Sequence, residues 1–140
     1  MAERSKMRVY ADGGARGNPG PAAIGVVVCD AEDRVLMEHK EFFGEGTNNE
    51  AEYRAVIRGL ELAASYSPEE VLVVSDSELL VRQVKGVYRV RNARIADFLA
   101  KIRRLETRFR KVSFLHRPRL TGQLDRADAL VNLALDEAGF

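Results

Sequence analysis

The chain has little of what several common classes of protein require. Its single cysteine, Cys29, cannot form an internal disulfide, and with only two histidines it has no cysteine and histidine group suited to zinc. The longest apolar run, residues 22–29, is interrupted by Gly25 and is far shorter than the ~20 residues of a membrane-spanning helix. Residues 1–8 are charged and lack the apolar core of a secretion signal. These absences predict a cytoplasmic protein without membrane spans. The place of Cys29 in an apolar run predicts that it is a small core residue.

The near-neutral net charge conceals two oppositely charged segments. The formal net charge is +1, yet residues 30–78 carry thirteen acidic and four basic side chains. Residues 82–111 carry eleven basic side chains and only two acidic ones. Such a basic segment is either a solvated helix face or a surface for a polyanion, and composition leaves both interpretations open.

The 140 residues, of which 46% are hydrophobic, are enough for one domain spanning residues 1–140. Apolar runs predict strands at residues 7–11, 22–29, 35–43, 71–74 and 112–115, and helical periodicity predicts helices at 47–65, 77–84, 93–109 and 124–138. Asn48 or Asn49 is the expected cap of the first helix. The order βββαβααβα predicts an α/β fold, with an antiparallel meander of three strands inside a five-stranded mixed sheet and helices packed against it.

Four acids fall near the ends of these elements. Asp12 follows the first strand, Glu52 lies in the first turn of the first helix, Asp76 follows the fourth strand, and Asp128 lies in the last helix. Each has an ordinary alternative as a turn residue, a helix cap or a partner of the helix dipole. If the first and fourth strands are neighbours, Asp12 and Asp76 leave the sheet at one end, and their repulsion requires a cation. Oxygen ligands favour Mg²⁺ or Mn²⁺, and two such ions can assist phosphodiester hydrolysis.

The segment after Asp12 is rich in glycine. Gly13, Gly14, Gly17 and Gly20 either form an ordinary turn or let the backbone approach a bulky anion. The segment lacks the terminal Lys-Ser/Thr of a nucleotide-binding P-loop and leads into a strand, which excludes that type of site.

Four short blocks together resemble type 1 ribonuclease H, over residues 7 to about 138. The blocks are Tyr10-Ala11-Asp12-Gly13-Gly14 with Gly17-Asn18-Pro19-Gly20-Pro21, Thr47-Asn48-Asn49-Glu50-Ala51-Glu52, Ser75-Asp76-Ser77 and Ala127-Asp128-Ala129-Leu130. The resemblance implies the ribonuclease H-like fold and two divalent ions, Mg²⁺ or Mn²⁺. It also implies an enzyme, acting as a monomer, that cuts the RNA strand of an RNA/DNA hybrid and leaves 5′-phosphate and 3′-hydroxyl ends.

The same resemblance implies roles for particular residues. The four metal-binding catalytic carboxylates would be those of Asp12, Glu52, Asp76 and Asp128, with Glu52 also near the ribose 2′-hydroxyl that distinguishes RNA from DNA. Contacts to the hybrid are implied for Gly13, Gly14, Asn18, Thr47, Asn48, Asn49 and Ser77. For Asn18 and Asn49, turn and cap roles remain open alternatives.

The chain also departs from many members of that family. It has no tryptophan, so the basic, tryptophan-containing handle of some bacterial members is missing, and Lys85, Arg89, Arg91 and Arg94 are candidates for a reduced version. No histidine occurs in the loop before Asp128. Arg119 is a candidate substitute that could contact phosphate but cannot shuttle a proton near neutral pH. His116 is expected to close the fifth strand as a structural residue. Two alternatives stay open: a hybrid-binding module without catalysis, and a nuclease or recombinase of the same fold that acts on DNA.

Overall fold

A computed structural model describes residues 5–118 and 122–140. Within these residues, five strands and four helices occur in the predicted order. They are β1 (Lys6–Ala15), β2 (Gly20–Asp30), β3 (Val35–Gly46), α1 (Asn48–Ala64), β4 (Glu70–Ser75), α2 (Glu78–Val84), α3 (Ala93–Glu106), β5 (Lys111–His116) and α4 (Gln123–Glu137). No helix in this described part of the chain is long and apolar enough to cross a membrane.

The strands form one mixed sheet in the order β3-β2-β1-β4-β5. The pairs β1–β2 and β2–β3 are antiparallel, as the short connections predict, whereas β1–β4 and β4–β5 are parallel and connected through helices. The predicted α/β fold and the predicted adjacency of β1 and β4 are therefore confirmed.

Strand β1 is longer than its apolar run. The sequence places Asp12 just beyond the strand end, but β1 continues to Ala15 and Asp12 lies within it. The continuation is possible because Gly13, Gly14 and Ala15 pair with Ile24, Ala23 and Ala22 of β2. On the side of β1 that faces β4, the pairing does end just before Asp12, as expected, because its last pair is Ala11 with Ser75.

The first helix begins with Thr47 as its cap, so the prediction of Asn48 or Asn49 is wrong. The Oγ1 atom of Thr47 accepts from the Glu50 backbone N–H at 3.1 Å, and the Glu50 carboxylate accepts from the Thr47 N–H at 3.0 Å. This reciprocal capping box satisfies two backbone donors at the helix start. Because α1 starts at Asn48, Glu52 lies beyond the first turn in which it was predicted.

Apolar side chains are buried on both faces of the sheet. On one face, Val9 and Val26 pack with Tyr53 and Leu60 of α1 and with Ile102 of α3. On the other face, α4 contributes Leu124, Ala127 and Leu130 to a second cluster. The strand residues of this cluster are Tyr10, Val27, Cys29 and Val74. Cys29 is fully buried there, as predicted for a core residue. The sheet thus has α1 on one side and α4 on the other, and both helices approach it near Asp12.

Candidate active site

Asp12 and Asp76 directly follow the last residue pair of the parallel β1–β4 ladder. Ala11 pairs with Ser75 in the parallel ladder, and Asp12 and Asp76 are the next residues of their chains. Tyr10 and Val74, two residues earlier, belong to the cluster on the α4 face. Since side chains alternate along a strand, Asp12 is directed toward that face as well, and Asp76 follows Val74 by the same spacing.

Helix α1 brings Glu52 to the same level of the sheet through a close contact with Gly13. A Cβ added at Gly13 would lie 2.3 Å from the carbonyl carbon and oxygen of Ala51 and 2.6 Å from the amide nitrogen of Glu52. Only a residue without a side chain fits there. The helix backbone at Glu52 therefore lies against the residue that follows Asp12.

Helix α4 brings Asp128 to the opposite face by an equivalent contact. Gly25 is the antiparallel partner of Asp12, and directly opposite residues share a face. A Cβ added at Gly25 would lie 2.2 Å from the carbonyl oxygen of Ala127 and 2.9 Å from the Cβ of Leu130. The turn of α4 that contains Asp128 thus packs on Gly25, the β2 partner of Asp12, on the face of the sheet toward which Asp12 is directed. Asp128 is the sixth residue of α4, so its alternative as a first-turn acid is wrong and applies to Asp125 instead.

The site includes buried carboxylate oxygen. Asp12 is only 2% exposed, and the Oδ1 atom of Asp12 and the Oε2 atom of Glu52 are both shielded from solvent. Burying ionised carboxylates is costly unless cations or hydrogen bonds compensate, and an all-oxygen donor set suits hard divalent cations. Among residues 5–118 and 122–140, no three or more carboxylate, histidine or cysteine side chains are gathered closely enough to hold a metal ion. What the structure establishes is therefore the placement of the four acids on their elements.

Several residues predicted to contact substrate have structural roles at helix starts. Thr47 caps α1, and Ser77 caps α2 by accepting from the Leu80 N–H at 3.1 Å. Asn48 donates its N–H to the Asn18 side chain at 3.0 Å. The amide oxygen of Asn49 is buried, and no hydrogen-bond partner for it occurs in the described part of the chain.

Comparisons with known proteins decide the family. A protein-family model described as reverse transcriptase-like matches residues 10–134. Ribonuclease HI of Halobacterium salinarum is 38% identical over 133 residues, which make up 95% of this chain and 66% of that protein. The bifunctional protein Rv2228c of Mycobacterium tuberculosis is 40% identical over 134 residues, which make up 95% of this chain and 36% of that protein. The chain belongs to the type 1 ribonuclease H family.

Solved structures of ribonucleases H confirm the predicted ribonuclease H-like fold. LC11-RNase H1 in complex with an RNA/DNA hybrid has a TM-score of 0.89 and 44% identity, covering 94% of this chain and 98% of that one. The N-terminal RNase H domain of Rv2228c has a TM-score of 0.90 and 39% identity, covering 96% of both chains.

The candidates for a reduced handle lie between the end of α2 and the start of α3, and His116 lies at the end of β5. Lys85, Arg89, Arg91 and Arg94, the candidates for a reduced handle, are all exposed, and the Nε atom of Arg94 lies 3.1 Å from the Glu50 carboxylate. His116 is the exposed last residue of β5 and pairs with Ser75, so it closes the strand as expected. Arg119 lies outside the described residues.

Two residues that shape this site were not singled out as functional by the sequence. Gly25 is visible only as an interruption of an apolar run, and that interruption was the available signal for a close helix contact. Arg16 gave no local signal, because its partners lie more than 100 residues away in the chain.

Proposed function

We propose that this protein is an endoribonuclease that hydrolyses the RNA strand of RNA/DNA hybrids. The observation that supports the proposal is the arrangement of four acid-bearing elements. Asp12 and Asp76 directly follow the last pair of the parallel β1–β4 ladder, and close contacts at Gly13 and Gly25 hold α1 and α4 against the sheet. The 44% identity to LC11-RNase H1, a protein crystallised with a hybrid, supports the choice of substrate.

The four carboxylates are proposed to hold two divalent cations, Mg²⁺ or Mn²⁺. The oxygen donors and the burial of Asp12 fit such ions, and the chemistry supplied by a bound pair is activation of a water and stabilisation of the departing oxygen. Asp12, within β1, and Asp76, immediately after β4, are proposed to form the centre of the site. Glu52 enters from α1 and is proposed to lie near the RNA 2′-hydroxyl as well, which would couple cleavage to recognition of RNA. Cleavage would leave 5′-phosphate and 3′-hydroxyl ends.

The hybrid is proposed to lie across the helix starts that surround the acids. The backbone of Gly13 and Gly14 and the side chains of Asn18, Asn48 and Ser77 would contact sugars and phosphates, and Thr47 and Asn49 would contact a phosphate of the DNA strand. Arg119 would contact phosphate in place of the histidine that many members carry. These contacts are proposed for a monomer that acts in the cytoplasm as one domain spanning residues 1–140.

The decisive experiment uses end-labelled RNA/DNA, RNA/RNA and DNA/DNA duplexes with Mg²⁺, Mn²⁺ or a chelator. The wild-type protein should cut the RNA of the hybrid, and the chelator should abolish cutting. Asp12→Asn and Asp76→Asn should each lower kcat by more than about 10²-fold, because even the outer partners of metal ligands cost about 10- to 100-fold when replaced. Hybrid binding should change little.

A matched pair on α4 provides the control. Asp125 and Asp128 lie one turn apart, but Asp125 is exposed in the first turn and Asp128 is half-buried near Gly25. Asp128→Asn should abolish cutting, whereas Asp125→Asn should retain it. Full cutting by Asp12→Asn or Asp76→Asn would refute the site. Hybrid binding by the wild type without cleavage in either metal would identify a binding module, and cutting of DNA/DNA duplexes alone would identify a DNA nuclease.

A further inference from the structure

Side-chain hydrogen bonds connect the loop of residues 16–19, between β1 and β2, to both α1 and α4. Its base is closed where the Arg16 N–H donates to the Pro21 carbonyl at 2.8 Å. On the α1 side, the Asn18 side-chain oxygen accepts from the Asn48 N–H at 3.0 Å. The Asn48 side-chain oxygen in turn accepts from the Ala15 N–H at 2.9 Å. The loop that carries Asn18 is thereby fastened to the start of α1.

On the α4 side, the fastening is the guanidinium of Arg16. Its Nη1 atom donates to the Asp136 carboxylate at 2.8 Å and also to the backbone oxygen of Phe140. Its Nη2 atom donates to the Asn132 side-chain oxygen at 3.2 Å. The planar, five-donor group of arginine can bridge several acceptors in a fixed geometry, which lysine cannot.

Asn132 extends this connection to the candidate site. Its Nδ2 atom donates to the backbone carbonyl of Asp128 at 3.2 Å, so hydrogen bonds run from Arg16 through Asn132 to the turn that carries Asp128. Asn18 on one side and Asp128 on the other therefore belong to one connected network. The acids themselves are positioned independently, by the β1–β4 register and the two glycine contacts.

We infer that Arg16 and Asn132 are positioning residues that hold the loop of residues 16–19 in its hybrid-binding geometry. This inference rests on the proposed function, because it concerns how the same site binds its substrate. Loss of the Arg16 side chain removes every side-chain contact of the loop with α4, and loss of Asn132 removes the contact that links Arg16 to the turn of Asp128. In either case part of the binding free energy must then order the loop. The contacts are near the surface, where such interactions are individually weak.

The experiment compares Arg16→Ala, Asn132→Ala and the double variant with wild type in steady-state cleavage of a labelled hybrid. Each single variant should raise KM by about two- to fivefold and change kcat by less than about twofold. The double variant should be no worse than Arg16→Ala, because the side chain of Asn132 contacts the loop only through Arg16. Hydrogen exchange at the Ala15 and Asn48 amides should become faster in both single variants.

Charge variants separate positioning from simple attraction of the hybrid. Arg16→Lys keeps the charge but not the planar group, and it should stay impaired. Arg34→Ala removes an arginine that pairs with Asp30 and Glu32 at the opposite end of β2, and it should leave KM unchanged. A normal KM in Asn132→Ala, or full recovery in Arg16→Lys, would overturn the inference.

If the wild type cuts no hybrid, the proposed function fails. The exchange rates then decide the inference by themselves, since unchanged rates overturn it.

Discussion

Replacing Gly13 with alanine should push α1 away from the sheet and disturb stability and catalysis together. The added Cβ would lie 2.3 Å from the carbonyl carbon and oxygen of Ala51, about 1 Å closer than an ordinary contact. These are backbone atoms of a capped helix, so no side-chain rotation can relieve the overlap. The helix must move by about 1 Å, and Glu52 must move with it.

The expected loss of stability follows from two opposing effects. Overpacking costs about 1–3 kcal/mol or more, while the alanine backbone recovers about 0.4–1 kcal/mol of conformational entropy. The net destabilisation is about 2 kcal/mol. With an unfolding entropy of about 2.1 cal/mol/K per residue over 140 residues, Tm should fall by about 7 °C. A 1 Å displacement of Glu52 should also lower kcat by about 10²-fold.

The neighbouring glycine is the matched control. A Cβ added at Gly14 would lie 3.5 Å from the Cγ1 atom of Val131, an ordinary contact, so Gly14→Ala should change stability by less than about 1 kcal/mol. Thermal and urea unfolding followed by circular dichroism, together with initial rates on a labelled hybrid, measure both effects. Equal stability of Gly13→Ala and Gly14→Ala would show that α1 does not approach β1 this closely, and the placement of Glu52 would fail.

Two further predictions concern stability. Thr47→Ala removes the capping box of α1 and should lower the free energy of unfolding in urea by about 1 kcal/mol, whereas Thr47→Ser should retain most of it. Burial raises the pKa of Tyr10 and of Tyr53 from 10.0, and the pKa of Cys29 from 9.0, each to about 12. These three groups have higher pKa values in the folded than in the unfolded chain, so folding is favoured while they stay protonated. Their contribution to the free energy of unfolding is complete below about pH 9 and should be lost as the pH rises toward 12. Urea unfolding across that range tests this, and a flat profile would contradict it.

The sequence predicts the sheet well because its strands are apolar runs with clear boundaries. It fails at the end of β1, where the pair Gly13-Gly14 locally favours a turn. In the structure, hydrogen bonding with β2 extends the strand through both glycines, so tertiary pairing overrides local preference. The consequence for the site is that Asp12 lies within a strand, and its neighbours are held by β2 on one side.

The helix starts show a second limit of local patterns. Asparagine is a good cap, and Asn48 and Asn49 stand at the start of an apolar helical pattern. The side chain of Asn48 instead accepts from the Ala15 N–H, a residue 33 positions earlier in the chain, and Thr47 takes the cap. No window around residue 48 contains that partner, and the same holds for Arg16 and its partners on α4.

The rotation of α4, in contrast, can be derived from the sequence once its core face is considered. At 3.6 residues per turn, the buried residues Leu124, Ala127, Leu130, Val131, Ala134 and Leu135 define one face of the helix. Asp128 lies about 90° from the centre of that face and Asp125 about 150° from it. Only Asp128 can therefore stay near the sheet while Ala127 contacts Gly25. The helix phase and the missing side chain at residue 25 together select which of two acids, one turn apart, belongs to the candidate site.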